Sequence, residues 1–301
     1  MDITWIGQHL YFGPHIPTAI AGHTTRFVEY AQGVQDPETL RGLTAGVIFY
    51  FRGEHIPHDI LDSMRGVKVM ISTEPVPQVA GKRTIITTDR AQRMADLMRA
   101  GNFDFRFHFD KTSLQYLKEH GRGFDGDFVL PINIKQLGGI VFESANPEWD
   151  VLLAARDTTY RRMITTPLKH TLGARFCHVA HGFSGSNLRY VADQSRIGLN
   201  IHVDGNPSLE PRVPLLMALG LMVISEPLSD NDLYKPGIHY IEVPSGSPAS
   251  VHERVMAFLK SPDDIERIAR AGRQLVKDRL DASKVWLELT KRVTDKARSQ
   301  A

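Results

Sequence analysis

Short apolar runs alternate along this chain with segments in which apolar residues recur at helical spacing. Runs of this kind predict buried strands, at residues 2–6, 45–51, 67–72, 83–88, 149–154, 176–180, 197–201, 222–225 and 240–243. Residues 104–109 fit either a strand or an irregular crossing. Helical spacing predicts helices at residues 24–32, 57–64, 89–100, 111–120, 159–172, 187–194, 211–220, 248–260, 263–279 and 282–296. Strands that alternate with helices favour an α/β fold with mainly parallel sheets.

The pattern is weakest at residues 131–148, which contain Gly138-Gly139 and Asn146-Pro147. We therefore expect two Rossmann-like domains, over residues 1–140 and 141–285. A last helix over 286–301 could pack back on the N-terminal domain. Two α/β domains in tandem form a cleft, and clefts between domains are favoured sites for small ligands.

Composition excludes several classes of protein. The 301 residues carry a formal net charge of +2, which gives no case for nucleic-acid binding. The single cysteine, Cys177, excludes a disulfide framework and lies in an apolar run typical of a packed core thiol. A signal peptide and an apolar run of membrane-spanning length are both absent from the sequence pattern, so we expect a cytoplasmic protein. Pro57 interrupts the His55–His58 pair, which favours structural histidines over a metal site.

The segment at residues 202–210 is the strongest candidate ligand loop, because it follows a predicted buried strand. In open α/β sheets, ligands bind at the carboxyl ends of the strands. A helix predicted from residue 211 would direct free backbone N–H groups at an anion there. Arg212 adds a forked donor suited to phosphate or carboxylate. Glu210 could accept a hydrogen bond from a ribose hydroxyl, or it could only complement the helix dipole.

Several motifs in the second half resemble a known enzyme family. Residues 150–155 and 158–162 resemble the strand and turn that open the C-terminal domain of GT-B glycosyltransferases, of the glycosyl transferases group 1 kind. SRIGLNIH at 195–202 resembles the SKIxLNIH strand of the spore-maturation (CgeB-like) group. RVPLLMALG at 212–220 resembles that group's RxFEAxACG helix, and residues 262–273 resemble its PEERxxIAxxGR helix.

The resemblance implies a GT-B fold, in which two Rossmann-like domains face a cleft and C-terminal helices cross back. It also implies a nucleotide-sugar donor on the C-terminal domain, an acceptor against the N-terminal domain, and transfer without a catalytic metal or other cofactor. Residues expected to contact the donor are Arg161, Arg162, Gly182, His202, Glu210 and Arg212. The arginines would neutralise the diphosphate, although surface roles fit Arg161 and Arg162 equally well. Gly182 could allow a close approach of the nucleotide to the backbone, or could simply form a turn.

An acid–base group is also needed for transfer. Candidates are Glu74, His15 and His23, each expected after an apolar strand near the cleft. Asp110 is a weaker candidate.

One position departs from the family pattern. Leu215 occupies the place where related enzymes have a ribose-binding glutamate. The resemblance of the ordered motifs implies a glycosyltransferase with a glycan, lipid-linked or protein acceptor. Two alternatives remain. The first is a GT-B-like protein that binds a nucleotide or carbohydrate without transferring sugar. The second is a nucleotide-sugar epimerase or another GT-B enzyme with a phosphoryl leaving group. A basic face near residues 291–298 is a candidate for peripheral contact with an anionic membrane.

Overall fold

The computed structural model describes residues 1–73, 96–97, 100–119, 123–137, 146–180, 182–229 and 231–300. The chain divides into two compact units, one formed by Met1–Leu130 together with Ala282–Ala301 and the other by Pro131–Asp281. The first boundary therefore precedes the predicted one at residue 140, because residues 131–137 belong to the second unit. The last helix begins at Ala282 rather than at residue 286 and belongs to the first unit.

The first unit contains a six-stranded parallel sheet with strand order β2-β1-β3-β4-β5-β6. Its strands are β1 (Asp2–Gly7), β2 (Thr24–Glu29), β3 (Thr44–Phe51), β4 (Arg65–Ser72), β5 (Phe105–His108) and β6 (Gly126–Asp127). Its described helices, numbered along the whole chain, are α1 (His9–Phe12), α2 (His58–Ser63), α3 (Lys111–Glu119) and α10 (Ala282–Gln300). Short 3-10 helices occupy Gly13–His15, Pro37–Leu40 and Gly53–His55.

Strand β2 corrects the sequence prediction, which gave residues 24–32 as a helix. Thr24, Thr25 and Val28 are β-branched and Phe27 is aromatic, so the segment suits a pleated surface. It forms one edge of the sheet and pairs in parallel with β1. Exposed and half-buried positions alternate over most of its length, and the strand contains few apolar residues. The sequence pattern therefore does not distinguish the two-residue period of a strand from the 3.6-residue period of a helix.

The core of the first unit covers both faces of its sheet, as parallel sheets require. Along β3, Phe49 and Phe51 point into one buried cluster and Tyr50 into another. Helix α10 contributes Trp286 to the first cluster, where its ring centroid lies 4.7 Å from that of Phe49 and 5.6 Å from that of Trp5. The last helix is thus part of the core of this unit.

The second unit contains a five-stranded parallel sheet with strand order β11-β10-β9-β7-β8. Its strands are β7 (Trp149–Ala154), β8 (Phe176–Val179), β9 (Ser195–Asn200), β10 (Met222–Ser225) and β11 (Ile241–Glu242). Its described helices are α4 (Ile134–Leu137), α5 (Thr159–Leu172), α6 (Gly185–Asp193), α7 (Arg212–Ala218), α8 (Pro248–Phe258) and α9 (Pro262–Arg279). Apart from α4, for which no element was predicted, these bounds match the predicted elements closely. The predicted α/β fold with two parallel sheets is confirmed.

None of the described helices combines the length and the apolar character needed to span a membrane.

Candidate functional site

The order of strands in the second unit marks one place for a ligand. Strand β7 lies between β8 and β9, so the connections that leave β7 and β9 diverge to opposite sides. In open α/β sheets, ligands bind at the carboxyl ends of strands at such a switch point. Residues 155–158 and 201–211 form the two connections there.

Glu210 and Arg212 form the charged centre of the connection after β9. Arg212 Nη1 donates to Asn200 Oδ1 at 2.9 Å, and Arg212 Nη2 lies 4.0 Å from Glu210 Oε2. Ser208 Oγ donates to Glu210 Oε1 at 3.0 Å, and His202 Nδ1 lies 3.7 Å from the same oxygen. Burial alone would raise the pKa of Glu210, but His202, Ser208 and the charge of Arg212 hold that pKa well below its usual value. Glu210 is therefore an ionised carboxylate with its countercharge already in place.

Helix α7 begins at Arg212, and this shortens the helix predicted from residue 211. Pro211 has no N–H group, and the Val213 N–H donates to the Glu210 carbonyl oxygen at 3.0 Å. The first turn therefore directs fewer backbone donors at a ligand than the sequence implied. The Arg212 side chain, 17% exposed, is the cation that the site offers.

Arg161 lies in the first turn of α5 and is buried at 4% exposure. Its Nε donates to the Ile201 carbonyl oxygen at 2.8 Å, and its Nη1 donates to the Arg156 carbonyl oxygen at 2.9 Å. Burial, followed by the nearby charge of Arg212, lowers the pKa of Arg161 to about 10, so it stays charged at neutral pH. Its geometry links the two connections at the switch point.

Glu226 directly follows β10 and was missed from the sequence. It is fully buried, and its Oε2 accepts the His202 N–H at 2.8 Å. Its Oε1 accepts the Gly246 N–H at 2.9 Å and the Tyr160 hydroxyl. One carboxylate therefore holds three segments together, which follow β7, β9 and β11. The available signal was a carboxylate placed immediately after a mainly apolar strand, at the edge where ligands bind.

Gly205 is required at its position in the same loop. Its φ is +76°, a conformation that glycine adopts freely. A Cβ atom on this residue would lie 2.5 Å from the Tyr160 hydroxyl oxygen. The loop therefore packs its backbone directly on the tyrosine that Glu226 binds.

Of the other predicted donor contacts, His202 lies in this cluster, and Arg162 and Gly182 lie on exposed surface. The His202 side chain is buried, with Nε2 2.9 Å from the Pro227 carbonyl oxygen. Arg162 Nη1 lies 3.6 Å from Asp157 Oδ2. Gly182 has a φ of +76° and no atom within 4 Å of where a Cβ would stand. Its role in binding stays a prediction.

The predicted acid–base residues that the structure describes belong to the first unit. Glu74 lies outside the described residues. His15 is buried in the first unit, where its carbonyl oxygen accepts from Trp286 Nε1 at 2.7 Å. His23 precedes β2, so it lies at the amino edge of its sheet, and the expectation that it follows a strand was wrong. Asp110 is buried and accepts from the Thr112 N–H and Ser113 Oγ at the start of α3.

Part of the chain matches a known family model in sequence. Residues 143–290 match the family model described as "Glycosyl transferase-like". Among curated proteins, none matches the sequence.

Solved structures show which fold the whole chain shares. Sucrose-phosphate synthase from Thermosynechococcus elongatus is similar with a TM-score of 0.63 and 12% identity, over 100% of both chains. Anabaena HepE in complex with UDP and glucose is similar with a TM-score of 0.61 and 10% identity, over 98% of this chain and 100% of that one. An Escherichia coli protein described as trehalose-6-phosphate bound with UDP-2-fluoro glucose has a TM-score of 0.57 and 8% identity, over 98% and 99%. The chain therefore has the GT-B fold, and its residues 143–290 are glycosyltransferase-like in sequence.

Proposed function

We propose that this protein is a glycosyltransferase that moves a sugar from a nucleotide-sugar donor to an acceptor without a bound metal. The observation that carries the proposal is the position of Arg212. It lies at the switch point of the second sheet, inside the glycosyltransferase-like residues 143–290. We assign the diphosphate of the donor to this guanidinium.

The surroundings of Arg212 support this role. Asn200 and Glu210 fix the guanidinium before any ligand arrives, so little reorganisation is needed to meet a charge that develops on the diphosphate. A planar guanidinium also matches two phosphate oxygens at once. UDP is the first nucleotide to test, because Anabaena HepE, a similar structure, is described in complex with UDP and glucose.

The remaining donor contacts are assigned by position. Arg162, whose side chain is exposed in the first turn of α5, is proposed as a second diphosphate contact. Glu210 and His202 are proposed to orient Arg212 and the loop around the nucleotide. Glu74 is the first acid–base residue to test by substitution.

Titration of the full chain with UDP by calorimetry tests the proposal. Arg212→Ala should weaken UDP binding by about 10- to 100-fold, since a hydrogen bond to a charged group contributes about 1.5–3 kcal/mol. Arg267→Ala is the matched control, because that arginine is exposed on α9 and pairs only with Asp264 among the described residues. Release of UDP from UDP-glucose in excess EDTA tests metal independence. If no nucleoside diphosphate or nucleotide sugar binds, the proposal fails.

Leu215 favours a second candidate, a GT-B-like protein that binds the donor but does not transfer sugar. This half-buried leucine stands in α7 where the resembled motif has glutamate. Nucleotide binding without turnover over a broad acceptor panel would support this candidate. Turnover that appears only in Leu215→Glu would identify the missing carboxylate as the cause.

A further inference from the structure

Two polar residues end the buried strands beside the proposed donor site. Asn200 is the last residue of β9 and Ser225 is the last residue of β10, and the parallel register pairs the two directly. Both residues are fully buried. A buried polar group is retained at low cost only when hydrogen bonds satisfy it, so the partners of these two side chains show what they do.

The side chain of Asn200 points to the face of the sheet that carries α7. A Cβ atom on Gly198 would lie 3.0 Å from Leu216 in α7. Residues two apart in a strand share a face, so Asn200 points to the same side as Gly198. Leu199, between them, belongs to the buried cluster on the opposite face. Asn200 is therefore directed toward the helix whose first residue is Arg212.

A chain of hydrogen bonds runs from Ser225 to the guanidinium of Arg212. Ser225 Oγ donates to the Glu226 carbonyl oxygen at 2.6 Å. Asn200 Nδ2 donates to Ser225 Oγ at 2.9 Å. Arg212 Nη1 donates to Asn200 Oδ1, also at 2.9 Å. The hydroxyl of Ser225 is thus linked to the proposed diphosphate contact through a single amide.

The two ends of this chain determine the direction of each bond. A serine hydroxyl has one hydrogen and a carbonyl oxygen can only accept, so the hydroxyl that donates to Glu226 must accept from Asn200. The amide therefore turns its NH₂ group to Ser225 and its oxygen to Arg212. A guanidinium can only donate, so it requires the same orientation of the amide.

Loss of the Ser225 hydroxyl would release the amide at one end. The buried NH₂ group of Asn200 would lose the acceptor that it now has. The amide would then be held less firmly, and the position of its oxygen beside Arg212 would be less well defined. Glu210 would still lie 4.0 Å from Arg212 Nη2, so the guanidinium would lose only part of its support.

We propose that Ser225 is a positioning residue, which orients the Asn200 amide and, through it, the Arg212 guanidinium. The assignment deepens the proposed function, and its link to the diphosphate rests on that function. The order of the guanidinium can be measured without a nucleotide, so the two proposals can fail separately.

Calorimetry on the full chain with UDP and with uridine tests the effect on binding. Ser225→Ala should weaken UDP binding about five- to ten-fold, as expected for one hydrogen bond. Uridine affinity should not change, because uridine carries no diphosphate. Ser195→Ala is the matched control, since Ser195 is also buried and its hydroxyl donates to the Val191 carbonyl oxygen at 2.8 Å, but it lies at the amino end of β9. The control should keep the UDP affinity of the wild type.

A double-mutant cycle tests whether Ser225 acts through Arg212. In the Arg212→Ala background, Ser225→Ala should cause no further loss of UDP affinity, because the group that Ser225 positions is already absent. A general loosening of the fold would instead weaken binding by the same factor in both backgrounds.

NMR of the arginine side chains reports on the guanidinium without any nucleotide. The Nη signals of Arg212 are identified by their absence from Arg212→Ala. Hydrogen bonds to Asn200 should slow the rotation of this guanidinium in the wild type, and Ser225→Ala should make the rotation faster. Ser195→Ala should leave it unchanged.

Three binding results would overturn the proposal: an unchanged UDP affinity in Ser225→Ala, an equal loss for uridine and UDP, or an equal loss with and without Arg212. If UDP does not bind to the wild type, the proposed donor site fails and the NMR signals alone decide the role of Ser225. Unchanged rotation of the Arg212 guanidinium in Ser225→Ala would then refute that role, and faster rotation would support it.

Discussion

Glu226 offers the sharpest test of how the proposed donor site is held together. Glu226→Gln keeps the size of the side chain but replaces one carboxylate oxygen with an NH₂ donor. That donor must face either the His202 N–H or the pair formed by the Gly246 N–H and the Tyr160 hydroxyl. At least one buried hydrogen bond is therefore lost, and the acceptor of the remaining bonds is no longer charged.

The expected loss follows from the number and kind of these bonds. Hydrogen bonds to a charged group contribute about 1.5–3 kcal/mol each, and a buried donor left without a partner costs about 1–3 kcal/mol. We expect Glu226→Gln to destabilise the second unit by about 2–4 kcal/mol. Glu242→Gln is the control, because Glu242 also accepts from a tyrosine, Tyr240, but its own side chain is exposed. The control should change stability by less than about 0.5 kcal/mol.

Amide hydrogen exchange is the appropriate assay, because a chain of two units does not unfold in a single transition. Peptides that contain His202 and Gly246 should exchange faster in Glu226→Gln, whereas peptides from β1 and β3 in the first unit serve as an internal reference. UDP affinity should fall in the same variant, because the loop that precedes Arg212 is loosened. Unchanged exchange at both His202 and Gly246 would refute the interpretation of Glu226 as a clamp.

Other predictions concern the same loop. Gly205→Ala should destabilise the second unit by about 2–3 kcal/mol, from positive-φ strain plus contact with the Tyr160 hydroxyl. Gly237→Ala, with φ +77° and open space around it, should show the strain alone. Equal losses of stability, measured by amide hydrogen exchange in the second unit, would contradict this. The pKa of Glu210 is lower in the folded protein than in the unfolded chain, where it is about 4.3. Ionised Glu210 therefore stabilises the fold at pH values above about 4.3, and this contribution is lost as the pH falls toward the folded pKa. The stability difference between the wild type and Glu210→Gln should therefore shrink as the pH falls below about 4. Glu210→Gln should also leave uridine affinity unchanged and weaken UDP binding, because it removes one of the two partners that orient Arg212. Weaker uridine binding would instead assign Glu210 to the ribose.

The sequence predicts local structure well where one segment contains all the information. Helix α5 was predicted at its observed bounds, because Thr158 caps its first turn and the apolar spacing that follows is regular. Strand β2 was missed because it is half-exposed at a sheet edge, where neighbouring strands rather than its own pattern decide the structure.

Contacts between distant segments are the part that could not be predicted. Glu226 binds groups 66, 24 and 20 residues away, and nothing in its immediate sequence identifies them. Nothing in the sequence near His15 shows that its carbonyl oxygen accepts from Trp286, 271 residues later. His23 was misplaced because one wrong element inverted the edge of the sheet at which it lies. The pairing of β2 with β1 and these distant hydrogen bonds form only in the tertiary fold.

The partners of the buried arginines at the proposed donor site bear on how a diphosphate would bind there. Arg161 and Arg212 are buried or nearly so, and an unpaired buried cation would be costly. Carbonyl oxygens satisfy Arg161, and Asn200 with Glu210 satisfies Arg212. Both cations are therefore held in place by partners that an anionic ligand need not displace. Because the position of Arg212 is fixed in advance, the proposed attraction between its guanidinium and a departing diphosphate would need little reorganisation at the moment of transfer.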